Sequence, residues 1–291
     1  MACCGGNQGW LAALRFVVTQ FDLCDQFRRL HAEGCFVMPN PWDVGSAIAL
    51  SELCFPAIGT SSAGLCYSVG RPDSLTALSV DDALDHVSAV VGAVALPVSA
   101  DFEAGYAADR DLLAVNVTRC VQTGVAGLSI EDATGEAAQP LYPLAEAVVR
   151  VQVARRAIDD AGPGVVLTAR AESYLCGLPD PLADAITRLQ AYADAGAEVL
   201  FAPGIKTPED IATLVAAVKP YPVNVVMSSD TGMTVADLAR LGVRRVSVGS
   251  ALSRVAWGAF LQAARTLLGK GTFAGLNGSA SFDELNALFG G

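Results

Sequence analysis

The feature that most constrains this chain is an alternation repeated eight times. Short β-type runs appear at residues 35–42, 55–62, 96–103, 126–133, 164–173, 198–204, 221–229 and 244–250. Between and after them lie stretches with helical spacing: 43–54, 79–94, 109–124, 143–162, 180–196, 207–219, 234–242 and 251–269. Several open on Asp, Ser or Thr and close on Gly, which marks helix ends independently of periodicity. Strand followed by helix, eight times over, predicts an α/β fold: a (β/α)8 TIM-type barrel with a parallel sheet. The alternative, an open doubly wound sheet, lacks support at the first βα junction, where no GxGxxG is present to bind a dinucleotide. The reading divides one barrel domain, residues 1–291, into an N-terminal capping segment (1–31, with a helix over 9–31), the barrel (32–269) and a C-terminal tail (270–291) with one short final helix.

Composition narrows the partners. Hydrophobic residues make up 52% of the chain and charged ones only 17%, so apolar surface is expected to be covered by neighbouring subunits, predicting a homo-oligomer. A net charge of -11 offers no basic patch to displace counterions, which excludes nucleic acid as a partner. The eight cysteines form no CxxC pair and show no metal-ligand spacing, the pattern of reduced thiols in a cytoplasmic protein. There is no basic segment followed by a long apolar one, and no uninterrupted apolar stretch of about 18 residues, so a soluble protein without membrane association is expected.

Groups at the C-terminal ends of parallel barrel strands gather at one mouth, and there the chain keeps its unusual residues. Asp101 and Glu103 end the third run, Glu131 and Asp132 the fourth, Arg170 and Glu172 the fifth. Because a strand alternates faces, Asp101 with Glu103 and Arg170 with Glu172 are each expected to point the same way. Such a concentration of carboxylates repels itself unless a cation neutralises it. For oxygen ligands that cation is Mg²⁺ (or Mn²⁺), bound through few carboxylates and several waters. Zinc is disfavoured: His31 and His86, the two histidines, fall in helices away from the mouth. The competing reading is structural ion pairing at the strand ends.

The stretches NPWDVGSA (40–47), GTSSAG (59–64), GRPDS (70–74), ADFEAGYA (100–107), GVAGLSIEDATG (124–135), LTARAESYL (167–175) and LGVRRVSVGS (241–250) resemble, in order, the motif series of the isocitrate lyase and phosphoenolpyruvate phosphonomutase superfamily. The resemblance covers residues 25 to 265. It implies a barrel whose C-terminal helix is swapped between subunits of a homodimer or homotetramer, with Mg²⁺ holding a small-molecule carboxylate, a 2-oxo acid or its enolate. On that resemblance Asp101 matches the direct metal ligand, and Glu103 and Glu131 match carboxylates that reach the metal through water. Asp73 matches the acid of the loop beside the metal waters. Ser61, Ser62 and Ala63 match the turn that binds the ligand carboxylate, and Arg170 the arginine that grips it. Trp42 and Asp43 match the wall and support of the same pocket. Asp73, Arg170 and Glu131 are the residues to which the resemblance gives catalytic roles.

In that superfamily the loop after strand four selects the reaction, and here the chain departs. Its lyases carry a KKCGH-type segment and its phosphonomutases Lys and Asn, whereas residues 130–144, IEDATGEAAQPLYPL, hold no Cys, Lys, His or Asn. The IEDATG form resembles a branch associated with 2-oxo acids. The expected function is therefore a Mg²⁺-dependent lyase acting on a 2-oxo or 2-hydroxy carboxylate through an enolate-like intermediate, by C–C cleavage or decarboxylation. The alternatives are phosphonomutase-type P–C chemistry, a catalytically weak barrel that binds 2-oxo acids, and a Schiff-base aldolase. Residues 133–140 are expected to form a mobile lid. Cys176 reads as a packed thiol, Glu136 and Tyr142 as solvated loop side chains, and Lys206 as a surface lysine.

Overall fold

A computed structural model describes residues 18–162 and 164–290. Each expected run contains a strand: β1 (Phe36–Met38), β2 (Ile58–Gly59), β3 (Val98–Asp101), β4 (Gly127–Glu131), β5 (Val166–Arg170), β6 (Val199–Phe201), β7 (Val223–Val226) and β8 (Arg245–Ser247). All pairings are parallel, in the order β1-β8-β7-β6-β5-β4-β3-β2. The seam between β1 and β2 is drawn together by the Gly59 N–H, which donates to the Pro39 carbonyl over 3.0 Å. Asn40 adds to this closure: its Nδ2 donates to the Thr60 carbonyl, and its Oδ1 accepts from the backbone N–H groups of Val248 and Gly249. The architecture is a (β/α)8 TIM-type barrel.

The helices follow the cap signals. They are α1 (Gln20–Ala32), α2 (Val44–Glu52), α3 (Ser62–Ser68), α4 (Val80–Ala93), α5 (Arg110–Gln122), α6 (Leu144–Ala161), α7 (Pro181–Asp194), α8 (Pro208–Ala217), α9 (Val235–Arg240), α10 (Ala251–Lys270) and α11 (Phe282–Phe289). The N-cap side chains of Thr19, Ser79 and Thr234 each accept the N–H of an Asp three residues on, whose carboxylate returns a bond to the cap. The sequence shows no helix at α3, whose first residue, Ser62, falls at the end of a β-type run. The tail carries its expected final helix, α11, which packs on α2. The N-terminal part of the expected capping helix, before residue 18, lies outside the described residues. No helix among the described residues is long and apolar enough to cross a membrane.

The main apolar core lies between strands and helices, whereas several interior positions of the barrel are polar: Ser99, Ser129, Thr168, Asn224, Arg245 and Ser247 are all buried. Helix α1 plugs the N-terminal end. Phe27 enters so closely that a Cβ on Gly127 would stand 2.5 Å from its ring, which is why β4 begins on glycine. Beside it, Arg245 is held by neutral acceptors: Asn224 Oδ1 at 2.8 Å, Thr168 Oγ1 at 3.1 Å and His31 Nε2 at 3.2 Å. His31 Nδ1 lies 2.8 Å from the Phe27 carbonyl, so its proton sits on Nδ1 and Nε2 accepts from the guanidinium.

Burial, reinforced by the Arg245 charge, pushes the His31 imidazole down from 6.5 to about 3. Below pH 6.5 the unfolded chain therefore takes up a proton that the folded chain refuses. The stability owed to neutral His31 is complete above that pH and is lost progressively as pH falls toward 3. Removing the titration by His31→Gln should make the variant's stability deficit smaller at pH 5 than at pH 7.5 by about 2 kcal/mol. Urea unfolding of both proteins at the two pH values checks this, and an equal deficit at both contradicts it.

Candidate active site

The site begins where β3 ends. Glu103 and Tyr106 adopt positive φ (46° and 53°), and so does Gly105 (77°), where a Cβ would also fall 2.1 Å from Leu113. The ADFEAGYA segment thus leaves the strand in a tight turn. Arg150 fastens that turn, donating to the carbonyls of Ala104, Ala107 and Ala108 over 2.6 to 3.0 Å. Glu103 is consequently only 5% exposed, behind Asp101 rather than beside it on a continuing strand.

Arg170, the last residue of β5, is the hub. Its Nη1 lies 2.6 Å from Asp101 Oδ1, its Nη2 2.9 Å from Glu131 Oε2 and its Nε 2.8 Å from Glu172 Oε1. One guanidinium therefore ties the mouths of β3, β4 and β5. A guanidinium has five N–H donors, so at least two remain for a ligand. Asp101 Oδ2 accepts from both the N–H and the hydroxyl of Ser62, each at 3.0 Å, which brings the start of α3 to the same point. Asp132 turns away into a separate buried cluster, accepting from Tyr192 and Arg188 through Oδ2 and from the Glu172 N–H through Oδ1.

The acids outnumber the cation that serves them. Burial, with the neighbouring Asp101 charge, pushes Glu103 up to about 8. Asp73 is raised for the same two reasons. Burial also drives Glu131 well above the usual carboxylate range, against the pull of Arg170. For Arg170, burial works against the charge, but Glu131, Glu172 and Asp101 outweigh it and hold the guanidinium firmly protonated. This imbalance fits a divalent cation. Among the described residues no three His, Cys, Asp or Glu side chains form a closed ligand set. Asp101 Oδ1 accepts one hydrogen bond and keeps a lone pair, so Asp101 could hold a cation directly.

Asp101 and Arg170 open onto a cavity of about 530 Å³, which Ser61, Ser62, Ala63 and Asp73 also line. Six of the residues singled out in the sequence thus meet on one surface. Glu103 and Glu131 do not reach it and stand behind Asp101 and Arg170. Trp42 and Asp43 do not reach it either: Asp43 caps α2, and both flank a separate groove beside α10. Sequence reasoning missed Asn40 and Thr60, which line the cavity and sit within quoted motifs, and Arg254, which carries no signal beyond helical spacing. Lys206, expected as a surface lysine, is exposed but lines the cavity rim.

The loop after β4, expected as a mobile lid over residues 133–140, is tied at its base. Ala133 and Leu141 form an antiparallel bridge, the Thr134 N–H donates to the Pro140 carbonyl, and the Tyr142 N–H donates to the Asp132 carbonyl, each of the two bonds at 2.9 Å. The loop is closed at its base by its own backbone, and none of its residues lines the cavity. Half-buried Cys176 packs against it at Pro140, its thiol raised first by burial, as a packed thiol should be.

A family model described as phosphoenolpyruvate phosphomutase matches residues 27–268. Among solved structures, a candidate lyase/mutase from Burkholderia cenocepacia J2315 is 43% identical with a TM-score of 0.90, covering 94% of this chain and 98% of that one. An uncharacterised protein of Mycobacterium tuberculosis is 37% identical over 77% of this chain and 81% of its own length. An oxaloacetate decarboxylase of Bradyrhizobium diazoefficiens is 33% identical over 65% of each chain. The motif series, the barrel and these likenesses agree: the chain belongs to the phosphoenolpyruvate phosphomutase family, within the PEP mutase/isocitrate lyase superfamily, and is an enzyme of that superfamily.

Proposed function

We propose that the protein is a Mg²⁺-dependent carbon–carbon lyase that cleaves or decarboxylates a small 2-oxo or 2-hydroxy carboxylate. The observation that carries this reading is Arg170, a single guanidinium among Asp101, Glu131 and Glu172 that opens onto a cavity beside Ser62. Its free N–H groups take the ligand carboxylate, and the three acids fix its plane. Ser61, Ser62 and Ala63 bound the other side of the head group. Asp101 would hold the divalent cation, with Asp73 on the same cavity wall gathering its waters and Glu103 and Glu131 adding acid behind them. When bound, that ion supplies Lewis-acid stabilisation of negative charge developing on the 2-oxo oxygen.

Decarboxylation suits what remains of the site. When a 3-carboxylate leaves as CO₂, its bonding electrons pass to the carbon next to the oxo group and onto the oxo oxygen, and a proton from water then completes the product. No thiol or imidazole is needed for the bond to break, and none lines the cavity among the described residues. A loop after β4 that lacks Lys and Asn removes the usual support for phosphonomutase chemistry. The oxaloacetate decarboxylase relative points in the same direction.

The assembly belongs to the same proposal: one barrel domain, in a cytoplasmic homodimer or homotetramer. Helix α10 leaves Phe260 60%, Leu261 39% and Leu268 91% exposed, an apolar face that exchange of the last helix with a second copy would cover.

A panel of 2-oxo and 2-hydroxy di- and tricarboxylates, with phosphonopyruvate, assayed for release of pyruvate, glyoxylate, oxalate or CO₂ tests the reaction. Turnover should require Mg²⁺ or Mn²⁺ and should fall about 100-fold or more in Asp101→Asn, which keeps the side chain's shape and removes its charge. Circular dichroism should show the variant folded. Turnover that survives in folded Asp101→Asn contradicts the site, and release of product only from phosphonopyruvate contradicts the reaction.

A further inference from the structure

The acids and Arg170 occupy the β3–β5 side of the cavity, and the opposite wall is built differently. Lys206, Ser228 and Arg254 follow β6, β7 and β8, three successive strands, and all three line the cavity. Lys206 stands between Ile205, which is 1% exposed, and Thr207, the N-cap of α8, so its backbone is held on both sides. The turn before it is fixed as well. Gly204 has φ +95° and Tyr174 packs so closely on it that a Cβ would stand 2.8 Å away. Arg254 Nη2 donates to the Ser228 carbonyl over 2.9 Å, which draws its guanidinium toward the mouth. Among the described residues neither Lys206 nor Arg254 has a carboxylate within ion-pair distance.

Between this wall and the head-group site lies apolar surface. Phe201 lines the cavity, and its ring centroid is 5.5 Å from the Arg170 guanidinium carbon, so it forms the step from one side to the other. Ile205 and Val226 continue it. The volume, about 530 Å³, lies well inside the range of ligand pockets, roughly 300–1,000 Å³, and exceeds what a three-carbon acid fills. The loop after β4 contributes no residue to the cavity, whereas the β6–β8 wall does.

We propose that Lys206 and Arg254 form a second anion subsite, which selects 2-oxo or 2-hydroxy acids bearing a distal carboxylate or similar anionic group beyond a short apolar spacer. This rests on the head-group assignment to Arg170 and Asp101. The spacer crosses Phe201, and the distal anion exchanges water for one ammonium and one guanidinium. Because both cations are exposed, the selectivity is screened by salt.

Calorimetric titration in Mg²⁺ with three probes tests it: oxalate, which has only the head group; 2-oxoadipate; and 2-oxohexanoate, which has the same carbon count without the distal charge. Wild type should bind 2-oxoadipate roughly tenfold more tightly than 2-oxohexanoate at low salt, with the ratio shrinking in added NaCl. The double variant Lys206→Met/Arg254→Met should bring the ratio to about one, and Lys206→Glu should take it below one. A ratio near one in wild type that still binds oxalate overturns the subsite alone, as does a ratio that persists in the folded double variant. Failure of wild type to bind oxalate at all overturns the head-group reading and the subsite with it.

Discussion

The Arg170 guanidinium is the interaction on which the mouth of this barrel depends. It is the common partner of Asp101, Glu131 and Glu172, which come from the ends of β3, β4 and the segment after β5. Without it two buried carboxylates, Glu131 and Glu172, and half-buried Asp101 would face one another in a poorly solvated space, and removing one partner of a buried ion pair generally costs about 3–5 kcal/mol. Its presence does not balance the site, since Glu103 and Asp73 add further acid beside it. Acids pushed above their ordinary range in this way would release their protons on binding a divalent cation, and the free N–H groups of Arg170 would take a carboxylate, which is the basis of the proposed function. Both properties follow from one cation shared by too many acids.

The opposite end of the barrel solves a related problem by different means. Arg245 is buried with neutral partners only, and burial lowers its guanidinium to about 9. His31 is kept neutral to accept from it, and α1 seals the opening behind both. Small polar residues, Ser99, Ser129 and Ser247, then leave the interior open from Arg245 up to Asp101, so the cavity runs into the barrel rather than resting on its rim. Arg170 at the mouth is matched with acids, and fully buried Arg245 is not.

Much of this was legible in the sequence, because the barrel's signals are periodic and local. All eight strands fall inside the β-type runs, and the capped helices follow the Asp, Ser and Thr signals. Helix α3 was not legible because Ser61 and Ser62 continue an apolar run, and only the Ser61 cap, which accepts the Gly64 N–H, reveals the change. Face alternation placed Asp101 correctly at the cavity but not Glu103, because alternation ends where the backbone turns to positive φ. Arg170 was found as a site residue, yet its role as hub for three strands depends on distances that no spacing encodes. Lys206 and Arg254 are ordinary residues in sequence and acquire meaning only because β6 and β8 bring them to one wall.

Electron paramagnetic resonance of Mn²⁺ tests the central claim, that the acid-rich mouth at Asp101 and Arg170 is a joint site for a divalent cation and a 2-oxo acid head group. Oxalate offers the same pair of chelating oxygens as such a head group. One Mn²⁺ should bind per chain, with a bound-ion spectrum that changes when oxalate is added. A spectrum of free Mn²⁺ throughout, or a bound ion whose spectrum ignores oxalate, contradicts it.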